Sequence, residues 1–281
     1  MPYAQRVKGK ADLRQIDPKV DGGMSKEEGE AKTLELGAEL DELQELLYAA
    51  GTHGLLVVLQ GRDTAGKDGT LRGLSRFVDV QGIHTASFKV PTPEELSHDF
   101  LWRVHPNVPG KGQVSLFNRS HYEDVLVVRV HNLAPEAVWK KRYEQINEFE
   151  QLLAESGTII VKFCLHISKE EQEERLLARE QDVTKSWKLS AGDWKERAFW
   201  DDYTDAYNDA LSKCGPDHAP WFIVPAGRKW FRDLAVTETL VETLRPYKKG
   251  WMEKLAKVGE EAKVELAEFR RSLPATSPPV N

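Results

Sequence analysis

The residues best suited to chemistry lie at 61–70. Gly61, four intervening residues, Gly66 and Lys67 nearly complete a phosphate-binding P-loop. In such a loop, backbone N–H groups and the lysine cradle an anion. The motif normally ends in Ser or Thr, whose hydroxyl sits on magnesium, but here the residue is Asp68. A carboxylate at that place can ligate magnesium or cap the helix it opens, and both readings stay open. Thr70 stands two residues late for the hydroxyl role, and Asp63, inside the loop, is a second candidate for the metal. The apolar run LLVVLQ (55–60) precedes the loop and TLRGLSRFV follows it. That is the strand–loop–helix order a genuine P-loop needs, with the positive end of a helix aimed at the anion. The bland alternative is a glycine-rich turn with no ligand.

A second group follows the run QVSLFN (113–118). Asn118, Arg119, Glu123 and Asp124 fall where ligands bind in α/β sheets, beyond the carboxyl end of a strand. The planar fork of Arg119 suits phosphate, and Glu123 and Asp124 suit magnesium, directly or through water. Against this stands a surface turn with an Arg–Asp salt bridge. His121 reads as a packed, hydrogen-bonded residue rather than a general base, because phosphoryl transfer rests mainly on positioning and charge stabilisation. A third group is basic and aromatic. Arg175 and Arg179 share one helix face, and Lys185, Trp187 and Lys188 follow in a loop. Nucleotide kinases build a closing lid this way, excluding water and completing a cradle of charge. The alternative is a solvated helix whose arginines pair with Glu171 and Glu174. Further cations at Arg62, Arg72, Arg76, Arg103, Lys111, Lys140, Lys141 and Arg142 exceed what one nucleotide needs, which suggests a longer polyanion.

The elements that must position these groups are legible. The runs at 55–60, 84–90, 113–118, 158–167 and 221–226 read as strands separated by helical or loop sequence. Several are apolar on both faces, as buried parallel strands are. Strands alternating with helices predict an α/β fold with a five-stranded parallel sheet covered on both sides. Leu34, Leu36, Leu40, Leu43, Leu46 and Leu47 predict a helix over 31–50 that Gly51 ends. Thr92-Pro93-Glu94-Glu95 predicts a capped helix start, and Ser168-x-x-Glu171 and Asp193-x-x-Glu196 repeat the logic. Pro135 opens a helix that Gly157 closes. Residues 1–30 read as a loosely ordered extension, 31–255 as the catalytic domain with a lid at about 170–200, and 256–281 as a helix end and disordered tail.

The bulk figures narrow the function. The 281 residues carry a net charge of −6, so a general nucleic-acid coat is not expected. No apolar run reaches the roughly 20 residues of a membrane helix, and the N-terminus has no apolar signal core. The location expected is cytoplasmic. The two cysteines, Cys164 and Cys214, form no metal motif or disulfide framework.

Taken together, GRDTAGKDGT, LWRVH, FNRSHYEDVLVVRV, RLLARE and APWFIVPA resemble the family 2 polyphosphate kinases, over about residues 30 to 250. The resemblance implies a P-loop kinase fold like thymidylate kinase, a three-layer α/β/α arrangement with a helical lid. It implies magnesium-dependent transfer of a terminal phosphoryl group between inorganic polyphosphate and adenine nucleotides, with manganese as a substitute metal. By position, Asp63 and Lys67 belong to the Walker A loop, with Asp63 a metal ligand or catalytic carboxylate. Gly61, Arg62, Thr64, Ala65, Gly66, Asp68, Gly69 and Thr70 complete the substrate-binding loop. Arg119 matches the arginine of the Walker B segment, and Arg175 and Arg179 match the lid arginines. Asp68 is normal in this family, so the missing hydroxyl does not disable the loop. Many relatives carry Asp in place of Asn118. The NRSHYED form is similar to the class III subgroup, which accepts both AMP and ADP and in which Glu123 and Asp124 would carry the acidic role and the metal. Arg62, unusual in this loop, would add a phosphate contact. Relatives form dimers and tetramers, so a homo-oligomer is expected, with no membrane partner. Two rival readings remain: a nucleoside monophosphate kinase using ATP, and a binding protein with an inactive P-loop.

Overall fold

The structure, a computed structural model, describes residues 2–272. Its strands are β1 (Gln5–Arg6), β2 (Gly54–Gly61), β3 (Ile83–Ser87), β4 (Val114–Asn118), β5 (Thr158–His166) and β6 (Trp221–Pro225). Its helices are α1 (Lys26–Ala50), α2 (Lys67–Leu74), α3 (Pro93–Ser97), α4 (Val127–Val130) and α5 (Glu136–Glu155), then α6 (Lys169–Glu180), α7 (Ala191–Glu196), α8 (Trp200–Lys213), α9 (Lys229–Leu244) and α10 (Lys248–Ser272). They form a three-layer α/β/α fold around one sheet ordered β1-β6-β5-β2-β4-β3.

All five expected strands are present and parallel. The sheet nevertheless has six strands and is mixed, because β1 adds antiparallel to β6, Gln5 opposite Ile223. Central β2 is buried at every residue. Its alternate side chains serve opposite faces. Leu55, Val57 and Leu59 join the core beneath α1 and α9. Leu56 and Val58 join the core beneath α5 and α8. A continuous apolar run is what such two-sided burial demands. The register sets the site: Leu59 of β2 lies opposite Asn118 at the end of β4, and Gly61 lies opposite Leu165 of β5. The loops leaving β2 and β4 therefore emerge side by side.

Local signals mostly hold. Thr92 caps α3 through a complete capping box with Glu95. Gly51 ends α1 in a left-handed conformation. Helix α1 begins earlier than its leucine spacing indicates, because Ser25 and Glu28 form a capping box ahead of it. Ser190, not Asp193, caps α7, which frees Asp193 to pair elsewhere. Helix α10 runs on through Ser272, so 270–272 are helical and the rest of the expected tail lies outside the described residues.

The N-terminal segment differs most from its sequence reading. It is not loose: Ala4, Val7, Ala11 and Leu13 are buried. Its backbone is tied down as well. Leu13 N–H donates to Asn208 at 2.9 Å, Ala11 N–H to Ser212 at 2.9 Å and Tyr3 N–H to Glu238 at 2.8 Å. The segment straps α8 and α9 to the sheet edge, and its apolar residues follow no helical or strand period because they answer to that irregular surface. Leu13→Ala should therefore destabilise the protein by about 2 kcal/mol or more, the cost of a core leucine. Denaturant unfolding checks this; a change near zero would return the segment to the status of a loose extension.

Candidate active site

The P-loop is a strained turn closed over a buried lysine. Thr64 holds a left-handed φ of 67°, and Gly66 has φ 108°. A Cβ on Gly66 would lie 2.0 Å from Arg232 Nη1, so glycine is required by both backbone and space. Lys67 Nζ donates back to the carbonyls of Gly61 at 2.6 Å and Arg62 at 3.2 Å. Burial, reinforced by the charge of Arg119, pushes its pKa down to about 8 against the pull of Asp63, Glu123 and Asp68. Thr70 is buried, and its hydroxyl donates to the Gly66 carbonyl at 3.3 Å.

Arg119 leaves β4 in a left-handed conformation, φ 62°, with its N–H on the Leu59 carbonyl at 3.0 Å. Its guanidinium bridges two carboxylates, Asp63 of the P-loop at 2.7 Å and Glu123 at 3.0 Å. These three side chains line one cavity with Gly61 and Arg62. Asp124 is not among its walls. Neighbouring residues of the short 3₁₀ turn His121–Asp124 point to different sides, and Asp124 is buried against Arg142 at 2.8 Å. Burial outweighs Arg142 and pushes its pKa up to about 6. The expected Glu123–Asp124 metal pair is thus split, leaving Asp63 and Glu123 as the facing carboxylates. Among the described residues, no three His, Cys, Asp or Glu side chains converge as a metal site.

Asp68 neither caps α2 nor stands free. The N-cap is Gly66, and Asp68 accepts from the Asn118 amide at 2.8 Å and from Lys188 of the lid. The segment from α6 to α7, where the lid is expected, is anchored over the loop. Gln172 donates to the Asp63 carbonyl at 3.1 Å. Arg175 donates to the carbonyls of Thr64 at 2.9 Å, Ala226 at 2.7 Å and Gly227 at 3.0 Å, and to Glu171 at 2.6 Å. It braces the loop from behind rather than facing the cavity. Arg179 pairs with Asp193 at 2.8 Å and holds the Lys188 carbonyl at 3.2 Å. Lys185 pairs with Asp182 at 2.5 Å on the surface, and Trp187 is 79% exposed.

Arg62 lines the cavity with its guanidinium already engaged by α8. Its guanidinium lies 3.6 Å from the Trp200 ring centroid and donates to the Trp200 carbonyl at 2.8 Å and to Thr204. Helix α8 supplies a better-matched partner than solvent does. Several neighbours of the site escaped sequence reasoning: Trp200, Tyr203 and Glu196 on the cavity wall, Arg232 behind Gly66, and Gln172. Only Gln172 left a signal, since it shares a helix face with Arg175 and Arg179.

Set against known proteins, residues 23–250 match the family model described as polyphosphate kinase 2. The chain is a member of the polyphosphate kinase 2 family. It is 49% identical over 246 residues to the AMP/ADP-polyphosphate phosphotransferase of Meiothermus ruber, covering 86% of this chain and 91% of that protein. It is 43% identical over 257 residues to the ADP-polyphosphate phosphotransferase of Rhodopseudomonas palustris, covering 87% and 89%. The crystal structure of polyphosphate kinase 2 from Arthrobacter aurescens superposes with a TM-score of 0.83 at 46% identity, covering 86% of this chain and 87% of that one. The fold expected from the motifs is therefore the fold of the family, and the protein is a phosphotransferase.

Because Lys67 is charged below about 8 and neutral above it, anion affinity in the free enzyme should fall as pH rises through that value. Calorimetric titration with inorganic tripolyphosphate at about pH 7 and about pH 9 should show weakening of up to roughly tenfold. Equal affinity at the two pH values would mean that Lys67 keeps its proton and that its burial is offset.

Proposed function

We propose that the protein transfers the terminal phosphoryl group of inorganic polyphosphate to AMP and to ADP, giving ADP and ATP, and that the reaction is reversible. The observation that carries this reading is the Arg119 guanidinium held between Asp63 and Glu123 beside Lys67, in a polyphosphate kinase 2 chain. The names of the Meiothermus and Rhodopseudomonas relatives support both nucleotide steps.

A nucleotide phosphate oxygen attacks the terminal phosphorus in line. A new P–O bond forms as the anhydride P–O bond to the rest of the chain breaks, and the shortened polyphosphate leaves with the electron pair. No protein nucleophile takes part. Lys67 and Arg119 stabilise the charge on the transferring oxygens, the term on which phosphoryl transfer chiefly depends. Asp63 and Glu123 are the residues that would hold Mg2+, a donor set of two carboxylates that fits an ion completing its sphere with phosphate and water. When bound, that ion supplies further neutralisation of phosphate charge. Arg175 keeps the loop in shape, and Arg179, Lys185 and Lys188 supply the lid's positive charge. Lys188 exchanges Asp68 for phosphate when the chain enters, and Trp187 covers the bound ligand. Asn118 keeps Asp68 oriented.

The catalytic domain proposed is 31–255, with the lid at about 170–200, joined by the N-terminal segment and the rest of α1 and α10 that continue from it. We assign the protein to the cytoplasm and to a homo-oligomer, a dimer or tetramer. No helix among the described residues is long and apolar enough to cross a membrane.

Purified protein with magnesium and long-chain polyphosphate, given AMP or ADP in separate tubes, should form ATP in both, read by chromatography. ATP from ADP alone would remove the AMP step. Absence of product from polyphosphate, with ADP formed from ATP plus AMP, would make the protein an ordinary nucleoside monophosphate kinase.

A further inference from the structure

Beneath the Arg119–Glu123 turn lies a buried charged network. Lys162 of β5, Glu150 of α5, His121 and Tyr122 are all fully buried. Lys162 and Glu150 form an ion pair, and Lys162 also donates to the Tyr122 hydroxyl at 2.8 Å and the Cys214 carbonyl at 2.7 Å. Its three protons are thereby used. The other oxygen of Glu150 accepts from His121 Nε2 at 3.1 Å and from the Tyr122 hydroxyl at 3.0 Å. A carboxylate only accepts, so Nε2 carries the imidazole proton. Nδ1 has no hydrogen-bond partner among the described residues. Burial pulls the Glu150 carboxyl up, but the Lys162 charge and the His121 hydrogen bond more than reverse it, and Glu150 stays ionised.

A buried ion pair is a poor source of net stability, since apolar residues of similar volume often serve as well. Its placement here suggests another use. His121 and Tyr122 are two of the three residues between Arg119 and Glu123, and both hang from a single oxygen of Glu150. The same turn is pinned from the other side by Ser120, which accepts from Gln60 at the end of β2 at 3.1 Å. Trp221 packs edge-on against Tyr122 at 4.7 Å, closing the remaining freedom. Arg119 needs such support because its left-handed φ of 62° is unfavourable for a residue with a Cβ.

We propose that Glu150 and Lys162, acting through His121 and Tyr122, are positioning residues that hold Arg119 and Glu123 in register with the P-loop for transfer. The proposal rests on the reading of Arg119 given above. Tyr122→Phe and His121→Phe each cut one hydrogen bond to Glu150 and leave the ion pair in place; Tyr122→Phe also takes one acceptor from Lys162. Both variants keep an aromatic ring in the packed site, and circular dichroism with thermal unfolding checks that each is folded before its rate is read. Steady-state transfer from polyphosphate to ADP should show kcat lowered about tenfold in each, with both KM values within about twofold of the parent. His121→Gln, which keeps a donor near the Nε2 place, should recover most of the loss. Placed on Arg119→Lys, itself strongly impaired, either Phe substitution should cost little more, because the network acts through the residue already lost. Unchanged kcat in Tyr122→Phe and His121→Phe would overturn the proposal, as would losses that multiply fully with Arg119→Lys. Full activity in Arg119→Lys would instead overturn the underlying site assignment, and the network proposal with it.

Discussion

One ion triplet organises this molecule: the Arg119 guanidinium between the carboxylates of Asp63 and Glu123. Without the arginine, two acidic side chains would face each other across a partly buried cavity, and their repulsion would push the loops apart. With it, the loop after β2 and the turn after β4 are held to each other. The parallel register that sets Leu59 opposite Asn118 brings them within reach, and the Arg119 N–H on the Leu59 carbonyl fixes the last step. The strained φ at Thr64 and Arg119 is the local cost of aiming both segments at one point.

The same electrostatic rule extends through the lid. Three cations around the site are matched by internal carboxylates: Lys188 by Asp68, Arg179 by Asp193, Arg119 by Asp63 and Glu123. Charges buried without partners would be far more costly. The pairs offset one another's charge within the site. Lys67 is not so matched, since its nearest partners are carbonyl oxygens, and burial pushes its pKa down to about 8.

Much of this was legible in the chain. The strands could be read because a segment buried on both faces must be apolar throughout. The P-loop could be read because close backbone approach to an anion demands glycine at fixed spacing. What escaped shares a different character. Asp124 looks equivalent to its neighbour Glu123 until a 3₁₀ turn sends it toward Arg142. Arg62 and Arg175 look like phosphate ligands until α8 and the carbonyls of the P-loop and of 226–227 claim them. Arg232 carries no motif and matters only because α9 lays it against Gly66. The N-terminal strap hides its burial for the same reason: Ala4, Val7, Ala11 and Leu13 fit an irregular surface and so show no period. A residue's type states what it can bind, but the partner that takes it is set by distant segments.

The claim that most depends on this picture is that a guanidinium charge at the Arg119 place drives transfer. Chemical rescue addresses it directly. Arg119→Ala should lose transfer from polyphosphate to ADP by roughly a hundredfold or more. Guanidinium ion, added well below denaturing concentration, should restore part of that rate in a saturable way, while methylammonium of equal charge and no fork should restore less. An Arg119→Ala protein that is folded and transfers phosphoryl groups within about threefold of the parent rate, with no response to guanidinium, would contradict the account.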